Sequence, residues 1–163
     1  MSPFRPDLVD CWIYRDAPNG TEILLIRRAP GRILPGLWQC VSGSIEPGER
    51  VAAAALREVA EETGFAGDAL LGFYDLDLVN QFHEPSVDAV MSSAVFAVRV
   101  DPDADVRLSH EHDAARWLSL TDAHREVVWP GYRTAIERIR DDLADPERIA
   151  WFALTRDGNR AVD

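Results

Sequence analysis

Residues 43–65 read GSIEPGERVAAAALREVAEETGF, and the rest of the chain is best understood outward from them. Pro47-Gly48 is a turn signal. From about Arg50 to Thr63 an Ala-rich run predicts a helix, closed by Gly64, which suits the left-handed position past a last helical turn. Glu58, Glu61 and Glu62 stand at i, i+3 and i+4 near that end. At 3.6 residues per turn they fall within roughly 100° of arc. Like charges at this spacing repel by about 0.2–0.5 kcal/mol per pair, and the negative end of the helix dipole disfavours acids. A sequence chosen for helix stability alone would not put them there. A hard divalent cation, which binds carboxylate oxygens, turns the repulsion into coordination.

A solvated acidic face is the competing reading for three glutamates taken alone. The surroundings favour a site. Leu56 and Val59 are expected to project opposite the acids, while Ala54 and Ala55 are expected to keep the acidic side low and leave room for a substrate. Arg57 lies four residues before Glu61 and is spaced to pair with it. Gly43 and the Pro-Gly turn let backbone approach a ligand closely.

Gly43, five residues, Glu49, seven residues, and then Arg57-Glu58-Val59-Ala60-Glu61-Glu62-Thr63-Gly64-Phe65 resembles the complete signature of the Nudix hydrolases. The resemblance implies the Nudix fold, an α/β/α sandwich with a mixed central sheet. It also implies hydrolysis of a nucleoside diphosphate linked to a further group, with Mg2+, or Mn2+ in its place, as cofactor. Carried over position by position, it makes Glu58, Glu61 and Glu62 metal ligands. The backbone carbonyl of Ser42, beside Gly43, completes the coordination, and the catalytic set is Glu58, Glu61 and Arg57. Glu49 and Arg57 tie the loop to the helix. Relatives place a further acid in a later loop, and Glu111 in Ser109-His110-Glu111-His112-Asp113 lines up as catalytic base or metal ligand; a surface acid is the alternative there. His110 and His112 read as incidental.

The 163 residues suit one domain with its own core. It is expected over residues 1–155, with 156–163 a loose tail. The net charge of −11 argues against a nucleic-acid polymer as partner. It also requires metal and local arginines to attract a polyanionic small molecule. No apolar run reaches the ~18 residues of a membrane span, and MSPFRPDLVD has no secretory core, which reads as a cytoplasmic protein without a membrane partner. A homodimer stays open. Cys11 and Cys40 read as buried free thiols.

Along the chain, Leu8–Tyr14 and Glu22–Arg28 predict two strands joined as a hairpin through Asn19-Gly20. An irregular Pro- and Gly-rich loop follows, and Trp38–Val41 re-extends toward Gly43. Strands are expected over 69–79, 90–100 and 114–118, with residues 80–85 (NQFHEP) a polar loop. A brief helix near 121–126 precedes a last helix opened by Pro130, buried along Ile136, Ile139 and Leu143 and stopped at Asp145-Pro146. Strand alternation sends Arg27 and Arg28 to opposite faces, so one of them is a candidate for a terminal phosphate and a solvated strand end is the alternative. Trp38 is a candidate to stack on a base or pterin, with core packing as the alternative. His83, with Glu84, is a candidate substrate contact.

Val41-Ser42 stands where many relatives have a proline before the signature glycine. There, and in the His-Glu-His run and the Trp-Pro-Gly-Tyr-Arg-Thr-Ala-Ile start of the last helix, the chain resembles the dihydroneopterin triphosphate and dATP pyrophosphohydrolase group. That implies a nucleoside or pterin triphosphate split to a monophosphate and pyrophosphate. The same chemistry on a dinucleoside polyphosphate, ADP-ribose or a nucleotide sugar is the alternative. A nucleotide-sensing regulator without catalysis is the alternative of another class.

Overall fold

Strand β1 (Leu8–Ala17) carries the nearly continuous apolar run LVDCWIY. In the computed structural model, which describes residues 4–162, it is the hub of a mixed sheet. One edge pairs in parallel with β6 (Ala89–Val100), from Leu8↔Ser93 to Tyr14↔Arg99. The other edge divides. Its C-terminal half forms the expected hairpin with β2 (Gly20–Arg28), from Ile13↔Leu24 to Ala17↔Gly20. Its N-terminal half pairs with β4 (Val41–Ser44). Beyond the hairpin β2 takes β3 (Trp38–Gln39) at Ile26 and Arg27, and its far edge carries β7 (His112–Ser119). Strands β1 and β2 therefore splay, and residues 38–44 lie in the fork. Strand β5 (Leu70–Glu84) closes the far side against β6.

Alternation along β1 feeds two apolar layers. Val9, Cys11 and Ile13 face helix α1 (Val51–Thr63), together with Val41, Val59, Phe65 and Val98. Trp12 and Tyr14 face the opposite layer, built by α2 (Leu120–Glu126) and α3 (Pro130–Arg138), which runs on through a π-helical turn over Ile139–Leu143. Trp12 meets Tyr132 edge to face with centroids 5.1 Å apart. Ile136, Ile139 and Leu143 are buried there, as their spacing predicts. A short α4 (Ile149–Phe152) follows. The result is the expected α/β/α arrangement of a mixed sheet between helices. Both cysteines are buried and free, and among the described residues no helix is long and apolar enough to cross a membrane.

Three expectations need correcting. Residues 80–84 are not a loop: β5 continues to Glu84, paired with β6 from Asn80↔Ser93 to Glu84↔Ala89. Much of this hairpin arm is exposed, so its strand carries polar side chains and no apolar alternation. Ala54 and Ala55 do not clear space for a substrate; both are wholly buried in the α1-side core. At 100° per residue Ala55, Val59 and Glu62 fall within roughly 60° of arc, so Glu62 shares the packed stripe with Val59 as its neighbour rather than its opposite, while Glu61 is exposed. The tail is not loose. Arg156 donates to the carbonyls of Gly67 (3.0 Å) and Leu70 (2.7 Å), and Arg160 reaches Asp75 at 3.0 Å. Asn159 accepts from Arg50 at 3.2 Å. The ends of the expected domain and tail, residues 1–3 and 163, lie outside the described residues.

Candidate active site

Glu62 sits in the last turn of α1 and is only 3% exposed, yet its Oε2 has no hydrogen-bond partner. Burial pushes its pKa up to about 9, and the charges of Glu58 and Glu111 add to the rise; the Ser42 backbone and Arg28 oppose it. An unpartnered buried carboxylate is costly unless a cation or a proton compensates it. Glu58, one turn earlier, is also raised, by burial first and against the pull of Arg57. Glu61 is exposed at the rim.

Arg57 organises these acids. Its Nε and Nη2 hold both oxygens of Glu49 at 2.7 and 3.0 Å, and Nη2 also donates to the Ser44 carbonyl at 2.9 Å. Nη1 reaches Glu58 at 2.7 Å and Glu61 at 3.1 Å. The fork of a guanidinium satisfies this many acceptors where an ammonium would not. The bond from Arg57 drops the Glu49 carboxyl to about 2, helped by the Glu46 backbone N–H. One arginine thus fixes the 43–49 loop to the helix.

Gly43 leaves room for the Glu58 carboxylate to lie against the strand. A Cβ built there would stand 2.5 Å from Glu58 Oε2 and closer still to Cδ and Oε1. Gly43 pairs with Val9 in the β1–β4 ladder, so the sheet itself presents bare backbone to the carboxylate.

The last turn of any helix leaves carbonyls unpaired. Here the Arg107 amide donates to Thr63 O at 2.8 Å and the Ser109 amide to Glu62 O at 3.3 Å. Capping α1 in this way brings the following loop alongside the acids. Residues 42–44, Glu58, Glu61, Glu62 and residues 109–111 then line one cleft of about 400 Å³. Glu111 is held there by Arg32 at 3.4 Å. A broader hollow of about 590 Å³ beside Asp141, Asp145 and Glu147 lies away from this chemistry.

The donor set, carboxylates with a strand carbonyl beside them, suits a hard divalent cation, and the orphaned Glu62 Oε2 is the observation that fits one. As they stand, no three acidic, histidine or cysteine side chains among the described residues converge closely enough to hold one ion, since Arg57 draws Glu58 and Glu61 toward itself.

The cleft thus gathers Glu58, Glu61, Glu62, Glu111, Ser42 and Gly43, with Arg57 at its edge. Of the other sequence candidates, Arg28 bears on the cleft, where its charge opposes the rise at Glu62, and Arg27, Trp38 and His83 lie away from it. Arg28 projects to the α1 side of β2 and donates to the Ile33 carbonyl. Arg27 projects to the other side, paired with Asp113. Trp38 packs in the α3-side layer with the Arg116 guanidinium 4.4 Å from its ring centroid. His83 lies on the exposed hairpin arm, 3.2 Å from Asp88. His112 is buried, its Nε2 is 3.2 Å from the Gln39 amide nitrogen, and burial lowers its pKa to about 4. Gln39 was missed, although a Gln within an apolar strand is itself a signal. So was Asp10, an acid inside LVDCWIY. It lies opposite Ser42 in register, with Asn80 at 3.5 Å, and burial raises its pKa.

Comparison with known proteins agrees with this geometry. The NUDIX domain family model matches residues 5–139. The chain is 40% identical over 119 residues to an octanoyltransferase of Myxococcus xanthus, covering 72% of this chain but 32% of that protein, so it spans about a third of that relative. It is 32% identical over 111 residues to the asymmetrical bis(5'-nucleosyl)-tetraphosphatase of Caenorhabditis elegans, 68% of this chain and 77% of the relative. Among solved structures, the Escherichia coli dihydroneopterin triphosphate pyrophosphohydrolase superposes with a TM-score of 0.69 at 27% identity, over 82% of this chain and 94% of that one. With a family model spanning most of its length and the helix, loop and glycine of the signature meeting in one cleft, the chain belongs to the NUDIX domain family.

Proposed function

We propose that the chain hydrolyses a pyrophosphate bond in a nucleotide-like small molecule, with Mg2+ or Mn2+ as cofactor. A nucleoside or pterin triphosphate, split to monophosphate and pyrophosphate, is the substrate we place first. The observation that carries the reading is Glu62, a buried carboxylate with an unpartnered oxygen in a cleft shared with Glu58, Glu61 and Glu111. Divalent metal bound there would supply Lewis-acid stabilisation of the phosphoryl oxygens and a more acidic water. The residues that would hold it are Glu58, Glu61, Glu62 and the Ser42 carbonyl. Glu111, in the same cleft, is the base that takes the proton of the attacking water. Arg57 orients Glu58 and Glu61. The bare backbone at Gly43 leaves room for Glu58 beside the strand.

A second reading, cleavage of a dinucleoside polyphosphate, is favoured by the likeness to the Caenorhabditis elegans tetraphosphatase over most of its length. One experiment separates them. Dihydroneopterin triphosphate, dATP and diadenosine tetraphosphate are each incubated with the protein and Mg2+ in oxygen-18 water, and the products are identified by mass spectrometry. Pyrophosphate and a labelled product from a triphosphate support the first reading. Turnover confined to diadenosine tetraphosphate supports the second. Orthophosphate plus a diphosphate as the sole initial products rules out the first, and no turnover of any nucleotide favours a sensor.

A further inference from the structure

Strands β2 and β7 pair without interruption from Glu22↔Ser119 to Arg27↔Ala114, but the next pair is Arg28↔His112. Asp113 is therefore an extra residue, and such a bulge bends its strand and re-aims the side chains before it. Two contacts pin the bulge from opposite faces of the sheet. On the α3 side, Arg27 grips Asp113 through both carboxylate oxygens, Nε to Oδ1 at 2.7 Å and Nη2 to Oδ2 at 3.1 Å. On the α1 side, buried His112 meets buried Gln39 at 3.2 Å. Immediately before them Glu111 is fixed by its backbone: its carbonyl accepts from the Ala29 amide at 2.9 Å, and its own N–H donates to Ser109 Oγ at 3.3 Å.

Glu111 needs such restraint. It lies among acids of its own sign, and like charge drives it and its loop outward; its ion pair with Arg32 opposes this only at 3.4 Å and in a half-exposed position. A strand without the extra residue would also turn every side chain before it to the other face of the sheet.

We infer that Arg27 and Asp113 on one face, and Gln39 and His112 on the other, are positioning residues that clamp the Asp113 bulge and so hold the Glu111 carboxylate in the cleft. The inference rests on the reading of Glu111 as an acid of the reaction. It removes Arg27 from the substrate contacts, because its Nε and one terminal nitrogen are already committed to Asp113.

The test is a double-mutant cycle on the full chain. Asp113→Asn and Arg27→Lys, both at half-exposed positions where the fold tolerates change, are made in the wild-type and Glu111→Gln backgrounds. Turnover is followed on whichever of the three nucleotides above is hydrolysed fastest. Acting through Glu111, each change should lower kcat about five- to twentyfold with KM little altered, and should cost nothing further once Glu111 is Gln. Independently of turnover, hydrogen exchange at the Ala29 amide should accelerate at least about fivefold in both variants, with the amides of Leu24 and Leu25 unchanged. Equal losses in both backgrounds, or unchanged protection of Ala29, overturn the clamp. If Glu111→Gln leaves kcat intact, the role given to Glu111 fails, and the clamp's purpose fails with it.

Discussion

Gly43→Ala puts a single methyl group where Glu58 now lies. The Cβ would stand 2.5 Å from Oε2 and nearer to Cδ and Oε1, whereas ordinary contact begins at about 3.4 Å. The carboxylate must therefore retreat by roughly 1–2 Å. Strand β4 is fixed by its pairing with β1, so the side chain moves and the strand does not. Moving it breaks the 2.7 Å bond to Arg57, and a charge-assisted bond of this kind contributes about 1.5–3 kcal/mol. Gly→Ala returns about 0.4–1 kcal/mol through the unfolded chain. The net loss is about 1–2 kcal/mol, which lowers Tm by roughly 2–8 °C for a protein of this size. Activity should suffer far more, because misplacing a catalytic group by about 1 Å costs around 10²-fold. Thermal unfolding followed by near-ultraviolet circular dichroism, beside pyrophosphate release, reads both quantities. In a Glu58→Ala background, adding Gly43→Ala should cost no further Tm, because the carboxylate it would displace and its bond to Arg57 are already gone. A Gly43→Ala protein with wild-type rate would refute the claim that Glu58 occupies this space for a reason.

Glu62 predicts a pH effect of definite sign. Its folded pKa is raised from 4.5 to about 9, so between those values the folded state holds a proton that the unfolded chain releases. Its contribution to stability is complete below about pH 4.5 and is lost as pH rises toward 9, with a slope of up to about 1.4 kcal/mol per unit. In EDTA, wild type should lose Tm between pH 6 and 8.5 more steeply than Glu62→Gln; parallel curves would reject the assignment. Because metal competes with that proton, the Tm gained on adding Mg2+ should grow with pH, and Glu62→Gln should abolish the gain. Glu111→Gln should lower kcat about 10²- to 10⁴-fold with KM little changed; a loss under about threefold returns the base to the helix acids. Arg57→Lys keeps the charge but loses the fork to Glu49, and should cost about 2–3 kcal/mol by urea unfolding; wild-type stability would mean the network is ornamental.

Wherever local chemistry decides, the sequence was readable. The α1 boundaries follow from the Pro47-Gly48 turn and from Gly64, whose φ of 78° is the left-handed value its position requires. The β1–β2 hairpin follows from two apolar runs rich in branched and aromatic residues on either side of the Asn19-Gly20 turn. Three matters were not readable, each for a tertiary reason. Glu58 can lie against β4 because residue 43 carries no side chain and Arg57 pairs with it, contacts that the residues of the helix alone do not reveal. The polar strand over residues 80–84 exists because β6 supplies a partner, not because its own residues favour it. The Asp113 bulge leaves no mark in the sequence: Asp113 looks like any loop acid until β2 is laid beside it.

The parallel pairing of β1 with β6 also fixes an order of events during synthesis. β1, β2, β4 and α1, which carries Glu58, Glu61 and Glu62 of the cleft, are made first, and β1 can close its hairpin with β2 at once. Its other edge waits until the chain reaches Ser93 and beyond. Until then a strand holding Trp12 and Ile13 presents unpaired backbone, and pairing across so long an intervening segment is slow. The nascent chain is thus most prone to self-association after α1 has emerged and before β6 has. Changes in β6 that weaken Val95, Ala97 or Val98 should lower the yield of folded protein more than their effect on final stability would suggest.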